Sequence, residues 1–274
     1  MKTVGVFDSG VGGLSVLRSL LTDLPGACFV YVADSAYAPY GARSADQIRS
    51  RVLAIADALV HRLPLDALVV ACNTATATAI EALRSSHPGL PVVGVEPALR
   101  PAAAASRTRH VGVLATPGTL SSRRYADLVA RTLEAFPDVH ISSQACEGLA
   151  WAIEQGEQER IRQLCQAAWS GLQAQATGHP PIDQLVLGCT HYPFASHELH
   201  ALCGAGVHLV DPAAAVARQT RKVLGLAVTE PASPQAAPAV QWLATGDREP
   251  LERAVRRWLL PQVGGGVEVA ALPI

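Results

Sequence analysis

The sequence predicts an α/β protein of two pseudo-equivalent domains, each a mostly parallel sheet flanked by helices. Short apolar segments typical of strands alternate along the chain with Ala-, Leu- and Arg-rich segments of helical period. Such alternation is typical of parallel sheets whose two faces are covered by helices. The chain has 274 residues, of which 49% are hydrophobic and 16% are charged. That length and composition are sufficient for two modest α/β domains or one large one.

Nine strands are predicted where apolar and β-branched residues form short runs bounded by turn residues. They cover residues 4–7, 28–33, 67–71, 92–95, 110–114, 139–142, 184–187, 207–210 and 240–243. Two long helical patterns cover 45–62 and 120–135. The Pro- and Ala-rich stretch 231–238 is predicted to be a loop.

Two pairs of segments are near copies of one another. One pair is Leu68-Val69-Val70-Ala71-Cys72-Asn73-Thr74 and Leu185-Val186-Leu187-Gly188-Cys189-Thr190-His191. The other is Thr3-Val4-Gly5-Val6-Phe7-Asp8-Ser9-Gly10 and His110-Val111-Gly112-Val113-Leu114-Ala115-Thr116-Pro117-Gly118. We interpret this repetition as two domains, the first formed by 1–96 and 209–274 and the second by 97–208. Chance similarity is the alternative, because many α/β units look alike.

Cys72 and Cys189 each end an apolar strand and precede a helix. Open α/β sheets bind ligands at the carboxyl ends of their strands, and a helix N-terminus favours thiolate over thiol. A single buried cysteine is more often an inert packing residue, and we interpret Cys146, Cys165 and Cys203 in that way. Two thiols facing one ligand would suit removal of a proton from one face of a carbon and its return on the other.

The first predicted strand runs into the glycine-rich loop Asp8-Ser9-Gly10-Val11-Gly12-Gly13-Leu14-Ser15. One interpretation is the phosphate cradle of a nicotinamide enzyme, with Asp34 binding the ribose. Ser15 at the third glycine position and the charge of Asp8 weaken that interpretation, and an ordinary capped helix start is a second one. We favour a third, in which backbone N–H groups hold a small carboxylate and Asp8 lies near the chemistry.

The second predicted strand is followed by the polar loop Asp34-Ser35-Ala36-Tyr37-Ala38-Pro39-Tyr40-Gly41. Tyr40 either lies over a ligand or belongs to an ordinary turn, since proline and glycine flank it. After the third strand, Asn73 and Thr74 are good helix-capping residues, whereas the Cys72 thiol is not expected to contribute to a cap.

Composition excludes several classes of function. A net charge of −1 without a basic stripe argues against nucleic acid as a partner. The two lysines, Lys2 and Lys222, lie in settings that do not suit a pyridoxal Schiff base, and no CxxC pair predicts a metal site. No secretory signal is found, and no apolar run approaches the roughly 18 residues of a membrane span. We therefore expect a cytoplasmic protein with free thiols, no membrane partner, and a small-molecule substrate; a homodimer is left open.

Several of these motifs together resemble the glutamate racemases of the wider aspartate/glutamate racemase superfamily. The matching segments are Phe7-Asp8-Ser9-Gly10-Val11-Gly12-Gly13, Pro39-Tyr40-Gly41, Ala71-Cys72-Asn73-Thr74-Ala75, Val93-Gly94-Val95 and Leu187-Gly188-Cys189-Thr190-His191-Tyr192-Pro193, with a weaker match at Thr245-Gly246-Asp247. The resemblance implies two α/β domains with the active site between them. It also implies a cofactor-independent enzyme that interconverts L- and D-glutamate, the D-enantiomer serving peptidoglycan synthesis.

The resemblance also assigns residues. Cys72 is implied to take the α-proton from D-glutamate and Cys189 to take it from L-glutamate, with polar assistance from Asp8, His191 and Glu154. The implied substrate-contacting pairs are Asp8-Ser9, Tyr40-Gly41, Asn73-Thr74 and Thr190-His191. Neither a metal nor a cofactor is implied.

Three functions compete on the sequence alone. An amino-acid racemase is favoured, mostly by the resemblance. A nicotinamide-dependent oxidoreductase would use the glycine-rich loop and Asp34. A binding protein of two α/β lobes would hold an amino acid without exchanging its α-proton.

Overall fold

A computed structural model of the chain describes residues 1–227, 239–263 and 266–274. The strands in these residues are β1 (Thr3–Asp8), β2 (Cys28–Ala33), β3 (Ala67–Val70), β4 (Val92–Gly94), β5 (His110–Ala115), β6 (His140–Ala145), β7 (Gln184–Gly188), β8 (His208–Val210), β9 (Val240–Ala244) and β10 (Val269–Ala271). The α-helices are α1 (Leu14–Asp23), α2 (Ala45–Arg62), α3 (Asn73–Ser86), α4 (Leu99–Ala105), α5 (Pro117–Leu120), α6 (Arg123–Ala135), α7 (Leu149–Gln155), α8 (Gln158–Gln175), α9 (Ser196–Cys203), α10 (Ala213–Val223), α11 (Glu249–Trp258) and α12 (Leu260–Val263). Short 3₁₀ helices cover Tyr40–Ala42 and Tyr192–Ala195.

The chain forms two compact units. Unit 1 contains Met1–Val95 and Ala213–Ile274, and unit 2 contains Glu96–Pro212. The sequence places the corresponding boundaries after residues 96 and 208. Unit 1 is thus built from both ends of the chain, whereas unit 2 is continuous.

Unit 1 contains a sheet with the strand order β10-β9-β2-β1-β3-β4. Its neighbouring strands are all parallel. Helices α2 and α3 cover one face, where Leu59 and Leu83 pack with Phe7, Val32 and Val70 from the strands. Because the strands are parallel, their carboxyl ends lie together at one edge of the sheet.

Unit 2 contains a sheet with the strand order β6-β5-β7-β8, again parallel throughout. Leu99 and Leu128 from α4 and α6 pack on Val111, Val113 and Val186 of its strands. The order matches β2-β1-β3-β4 of unit 1 strand for strand. The prediction of two mostly parallel sheets flanked by helices is therefore confirmed.

Some predicted elements differ in detail from those observed. The helix predicted over 120–135 is interrupted, because the Ser122 side chain accepts from the Tyr125 N–H and starts a new helix there. Strand β10 was not predicted from the sequence. The predicted loop at 231–238 lies outside the described residues. Of the helices in the described part of the chain, none has the length and apolar character needed to cross a membrane.

Candidate active site

The sequence-predicted site residues fall into two groups, one at the carboxyl edge of each sheet. In unit 1, β1 ends at Asp8, and Cys72 follows β3 by two residues. These strands are neighbours, with Phe7 opposite Val70, and the Ala71 N–H donates to the Phe7 carbonyl at 2.7 Å. The register thus brings the strand-end carboxylate and the strand-end thiol to one edge.

Cys72 itself caps helix α3. Its Sγ accepts from the Ala75 N–H at 3.4 Å and shares a hydrogen bond of 3.5 Å with Ser9 Oγ. The expectation that the thiol adds nothing to the cap was wrong, because the sequence pattern does not reveal which residue starts a helix. A helix N-terminus stabilises negative charge, so this position favours a thiolate at Cys72.

Asp8 is fully buried and binds the glycine-rich loop that follows it. Its Oδ2 accepts from the Gly13 N–H at 2.9 Å and from the Gly10 N–H at 3.3 Å. A Cβ at residue 13 would lie 2.8 Å from the Asp8 Cβ, so only glycine permits this approach. Two of the loop N–H groups that we expected to hold a substrate carboxylate are therefore already bonded to Asp8.

Asn73 and Thr74 are both buried at the start of α3. Asn73 is 3% exposed, and within the described residues neither its amide oxygen nor its amide nitrogen has a hydrogen-bond partner. Leaving a buried polar group unpaired costs roughly 1–3 kcal/mol. Such a group is usually retained where a ligand supplies the missing partner.

Tyr40 and Gly41 lie in the 3₁₀ helix after the second strand, Tyr40 buried and Gly41 exposed. The Tyr40 hydroxyl donates to Asp34 Oδ2 at 2.6 Å. Both Asp34 oxygens accept further hydrogen bonds from Arg51, at 2.6 and 3.1 Å. Asp34 is fully buried with these partners, so it does not present the free carboxylate that a nicotinamide ribose would require.

In unit 2, Cys189 directly follows β7. A Cβ on the preceding Gly188 would lie 2.8 Å from the Leu114 carbonyl oxygen, so this strand end requires glycine. Cys189 Sγ lies 3.8 Å from His191 Nδ1, and His191 Nε2 lies 2.9 Å from Glu154 Oε2. Glu154 belongs to α7, so the structure joins it to the thiol through the imidazole.

The His191–Glu154 pair is almost completely buried, with 7% and 8% of the side chains exposed. Burial alone would lower the pKa of His191, but its hydrogen bonds to Cys189 and Glu154 raise that pKa well above its usual value. The imidazole that carries this raised pKa lies in hydrogen-bond contact with Cys189 on one side and with Glu154 on the other. Thr190 is buried beside Cys189.

Residues 9–220 match the family model of the Asp/Glu/hydantoin racemases. A glutamate racemase of Ectopseudomonas mendocina (strain ymp) is 47% identical over 249 residues, which cover 89% of each chain. A solved glutamate racemase of Bacillus anthracis has a TM-score of 0.82 at 30% identity, covering 100% of this chain and 98% of that one. Escherichia coli glutamate racemase, solved with L-glutamate and the activator UDP-MurNAc-Ala, has a TM-score of 0.81 at 32% identity, covering 99% and 98%.

This chain belongs to the Asp/Glu/hydantoin racemase family. The resemblance found in the motifs is confirmed, and the protein is an amino-acid racemase.

The other thiols of the racemase are suited to packing rather than to proton transfer. Burial raises the pKa of Cys146 to about 12 and that of Cys165 to about 12. Burial likewise raises the pKa of Cys203 to about 11. These three groups therefore stay neutral thiols near pH 7, which makes them useful controls for the two strand-end cysteines.

The buried Asp34 and the partly buried Arg51 of the racemase have partners that the sequence did not predict. Asp34 was considered only as a ribose ligand, whereas it bonds Tyr40 and Arg51. Arg51 lies within a long helical pattern in which no periodicity distinguishes it from a solvent-facing arginine.

Within the described residues, no three His, Cys, Asp or Glu side chains are grouped as a metal centre would require.

Proposed function

We propose that this racemase interconverts L-glutamate and D-glutamate by transferring the α-proton between Cys72 and Cys189. The observation that carries the proposal is the equivalence of the two thiols. Cys72 follows β3 and Cys189 follows β7, and these strands hold the same place in the two matching strand orders. Each thiol also has a polar partner that can receive or supply hydrogen bonds as its charge changes.

The reaction demands a base and an acid of similar strength. The α-proton beside a carboxylate is weakly acidic, so the site must stabilise a carbanion-like transition state with positioned donors. One thiolate removes the proton from one face, and the other cysteine, as a thiol, donates a proton to the opposite face. The protonation states of the two cysteines are exchanged after each turnover, and this mechanism requires both to reach one α-carbon.

Different residues are proposed to assist each of the two thiols. On the Cys189 side, the protonated His191 stabilises the thiolate, and Glu154 holds the proton on the imidazole. On the Cys72 side, Ser9 shares a hydrogen bond with the thiol, and Asp8 fixes the loop that carries Ser9.

Substrate contacts are proposed for the polar residues around these groups. The unpartnered amide of Asn73 is proposed to bond the substrate directly, since glutamate offers both donors and acceptors. The remaining proposed contacts are Asp8, Ser9, Tyr40, Gly41, Thr74, Thr190 and His191.

Deuterium labelling tests the proposal directly. The protein is incubated with L-glutamate in deuterated water without added cofactor, and both enantiomers are separated and analysed by mass at low conversion. Two bases predict that deuterium enters the D-glutamate product while the recovered L-glutamate stays unlabelled. Early label in the recovered substrate would indicate a single base. Binding of glutamate without any α-proton exchange would indicate a binding protein, and a requirement for added NAD would indicate an oxidoreductase.

Glutamate is proposed to be a much better substrate than aspartate. A side chain one methylene shorter cannot reach the same fixed donors while its α-carbon stays at the thiols. A displacement of 1 Å at the reacting carbon can cost about a hundredfold in rate. Steady-state rates with both enantiomers of each amino acid measure this difference, and equal or higher kcat/KM for aspartate would contradict it.

The proposed product and the free thiols also indicate a place in the cell. We propose that the D-glutamate serves peptidoglycan synthesis and that the enzyme works in the cytoplasm. The cysteines at 28, 72, 146, 165, 189 and 203 all lie in the described residues and form no disulfide, which fits a reducing compartment. Restoration of growth in a D-glutamate-requiring bacterium, with the protein found in the soluble fraction after lysis, would test both statements.

A further inference from the structure

Asp34 is the centre of a buried hydrogen-bond cluster that the proposed mechanism does not use. Its Oδ1 accepts from Arg51 Nη2 at 2.6 Å and from the Thr245 hydroxyl at 2.5 Å. Its Oδ2 accepts from the Tyr40 hydroxyl at 2.6 Å and from Arg51 Nε at 3.1 Å. A buried carboxylate is stable only when it is paired and hydrogen-bonded in this way.

Thr245 and Gly246 attach the end of β9 to the loop that begins at Asp34. Besides donating to Asp34, Thr245 Oγ1 accepts from the Ala36 N–H at 3.3 Å, and the Gly246 N–H donates to Ser35 Oγ at 3.1 Å. A Cβ at residue 246 would lie 2.8 Å from the Ala36 nitrogen. Thr245 and Gly246 of the Thr245-Gly246-Asp247 motif therefore hold this loop in place.

The cluster also determines what Tyr40 can do. Burial, together with the adjacent Asp34 carboxylate, raises the pKa of Tyr40, so the phenol keeps its proton. That single proton is donated to Asp34. Tyr40 therefore has no hydroxyl proton left to give a substrate, and the hydroxyl serves to hold the loop.

Arg51 balances the negative charge of Asp34 and packs against the ring of Tyr37. Its side chain is 13% exposed, and its guanidinium lies 4.0 Å from the centre of the Tyr37 ring. Arg51 and the two residues after β9 thus hold the first part of the loop, and the Tyr40 hydroxyl bonds its second part to Asp34.

We propose that Asp34 and Thr245 are positioning residues, which fix the loop so that Tyr40 and Gly41 are presented to the substrate. This inference rests on the proposed function, because the substrate role of Tyr40 and Gly41 comes from it. A loosened loop weakens binding more than it slows proton transfer, because the cysteines and their partners are untouched. The expected signature is a raised KM with kcat nearly retained.

The test compares Thr245→Val with Thr220→Val. Removing the Asp34 carboxylate would leave Arg51 without its partner and could prevent folding, whereas threonine and valine have the same shape. Thr220 is the control because it also belongs to unit 1, and its buried hydroxyl likewise donates a hydrogen bond, to the Val216 carbonyl at 2.8 Å. The KM and kcat for both glutamate enantiomers are measured, together with amide hydrogen exchange in residues 35–42.

Thr245→Val should raise KM by about tenfold for both enantiomers, equivalent to about 1.4 kcal/mol, with kcat within about threefold of wild type. Thr245→Ser keeps the hydroxyl and should restore KM. Thr220→Val should leave KM unchanged. Hydrogen exchange in residues 35–42 should be faster in Thr245→Val than in Thr220→Val, since the loop loses two hydrogen bonds.

Combination with Tyr40→Phe adds a second readout. If both hydroxyls act through Asp34, the double variant should raise KM by less than the product of the two single effects. Fully multiplicative effects would contradict a shared action.

The outcomes separate this inference from the proposed function. If wild type racemises glutamate but Thr245→Val and Thr220→Val have the same KM, the positioning role is overturned and the racemase proposal stands. If wild type does not exchange the α-proton of glutamate, the racemase proposal fails, and hydrogen exchange decides the positioning role. Faster exchange of the loop in Thr245→Val would then support it, and equal exchange would overturn it.

Discussion

Cys72 and Cys189 occupy equivalent places in two matching sheets, yet their surroundings differ chemically. Equivalent backbone hydrogen bonds show which residues of the two units correspond. The Asp34 N–H donates to the Asp8 carbonyl at 2.9 Å, and the Cys146 N–H donates to the Ala115 carbonyl at 2.9 Å. Unit 2 therefore has alanine and cysteine where unit 1 has two buried carboxylates.

Unit 2 obtains its carboxylate from elsewhere. Three residues of the repeat, Cys72-Asn73-Thr74, correspond to Cys189-Thr190-His191, so His191 replaces a threonine. The imidazole then reaches Glu154 on α7, and unit 1 has only the short 3₁₀ helix Tyr40–Ala42 at the corresponding place in its element order. The duplicated strand-and-helix frame positions a thiol in each unit, whereas the polar side chains beside the two thiols differ, with Ser9 next to Cys72 and His191 next to Cys189.

The largest effects are expected when each thiol is removed in turn, which tests whether the two units contribute equally to racemisation. Cys72→Ala and Cys189→Ala should each reduce racemisation by a thousandfold or more, since loss of a general acid or base costs about 10²–10⁴ and both are needed in every turnover. Chiral analysis of glutamate over time measures the loss. Cys165→Ala is the control, because its buried neutral thiol is predicted to have no part in the reaction. Full racemisation by either strand-end variant would refute a mechanism with two thiols.

A smaller effect is expected from Glu154→Gln, which tests the partner found only in unit 2. Loss of the carboxylate should lower kcat/KM by about ten- to a hundredfold, the usual worth of a hydrogen bond to a charged group. The pKa of His191 should fall towards its usual value, so the alkaline limb of kcat/KM should move to lower pH. The control is Glu159→Gln in α8, where the glutamate forms an exposed ion pair with Arg162. An unchanged pH profile in Glu154→Gln would contradict the assigned role.

The same variant should change how stability depends on pH. The folded state raises the pKa of His191 above the usual 6.5. The protonated imidazole therefore stabilises the fold fully below about pH 6.5, and this contribution is lost as pH rises through the folded pKa. Urea unfolding of wild type and Glu154→Gln should differ most at the acidic end of this window, and the difference should shrink at alkaline pH. A difference that grows as pH rises would contradict this sign.

The smallest effect is expected on the unit 1 side, from Ser9→Ala. It removes one hydrogen bond to Cys72, which corresponds to a two- to tenfold loss in kcat/KM. Ser86→Ala, at the far end of α3, is the control, since the Ser86 hydroxyl bonds only local groups, namely two carbonyls of its own helix and the adjacent His87 imidazole.

Isotope effects sharpen the difference between the two sides. Because the two enantiomers have equal free energies, kcat/KM must be the same for L- and D-glutamate in every variant. This ratio therefore cannot show which of the two thiols a variant impairs, whereas isotope effects can. With α-deuterated substrates, Glu154→Gln should enlarge the isotope effect from L-glutamate, and Ser9→Ala should enlarge that from D-glutamate. The reverse pattern would exchange the roles assigned to the two thiols.

The sequence predicted what depends on local periodicity. Apolar runs located the strands, and the strand-helix boundaries located Cys72 and Cys189 at the carboxyl edges of the sheets, because these signals lie within a few residues. The Asp34–Thr245 contact joins residues 211 positions apart, and no local pattern encodes such a separation. The partner of His191 is 37 residues away, and only the family resemblance indicated Glu154.

The sequence also does not reveal which of several neighbouring polar side chains bonds a given backbone N–H group. The sequence shows N–H groups in the loop after Asp8 but does not show that Asp8 itself binds two of them. It shows capping residues at Asn73 and Thr74 but not that Cys72 provides the cap. In both places, several side chains could satisfy the same backbone groups, and only the packed fold selects among them.

The origin of unit 1 from both ends of the chain has a consequence for synthesis on the ribosome. Both thiols and every residue assigned to proton transfer have been synthesised once residue 191 has been added, and unit 2 is complete at residue 212. Thr245, which grips the Tyr40 loop, is made more than fifty residues after the last of the assigned residues. A nascent chain that stops before β9 therefore carries every residue assigned to proton transfer but lacks Thr245, so we expect it to hold the Tyr40 loop less firmly than a chain that includes Thr245.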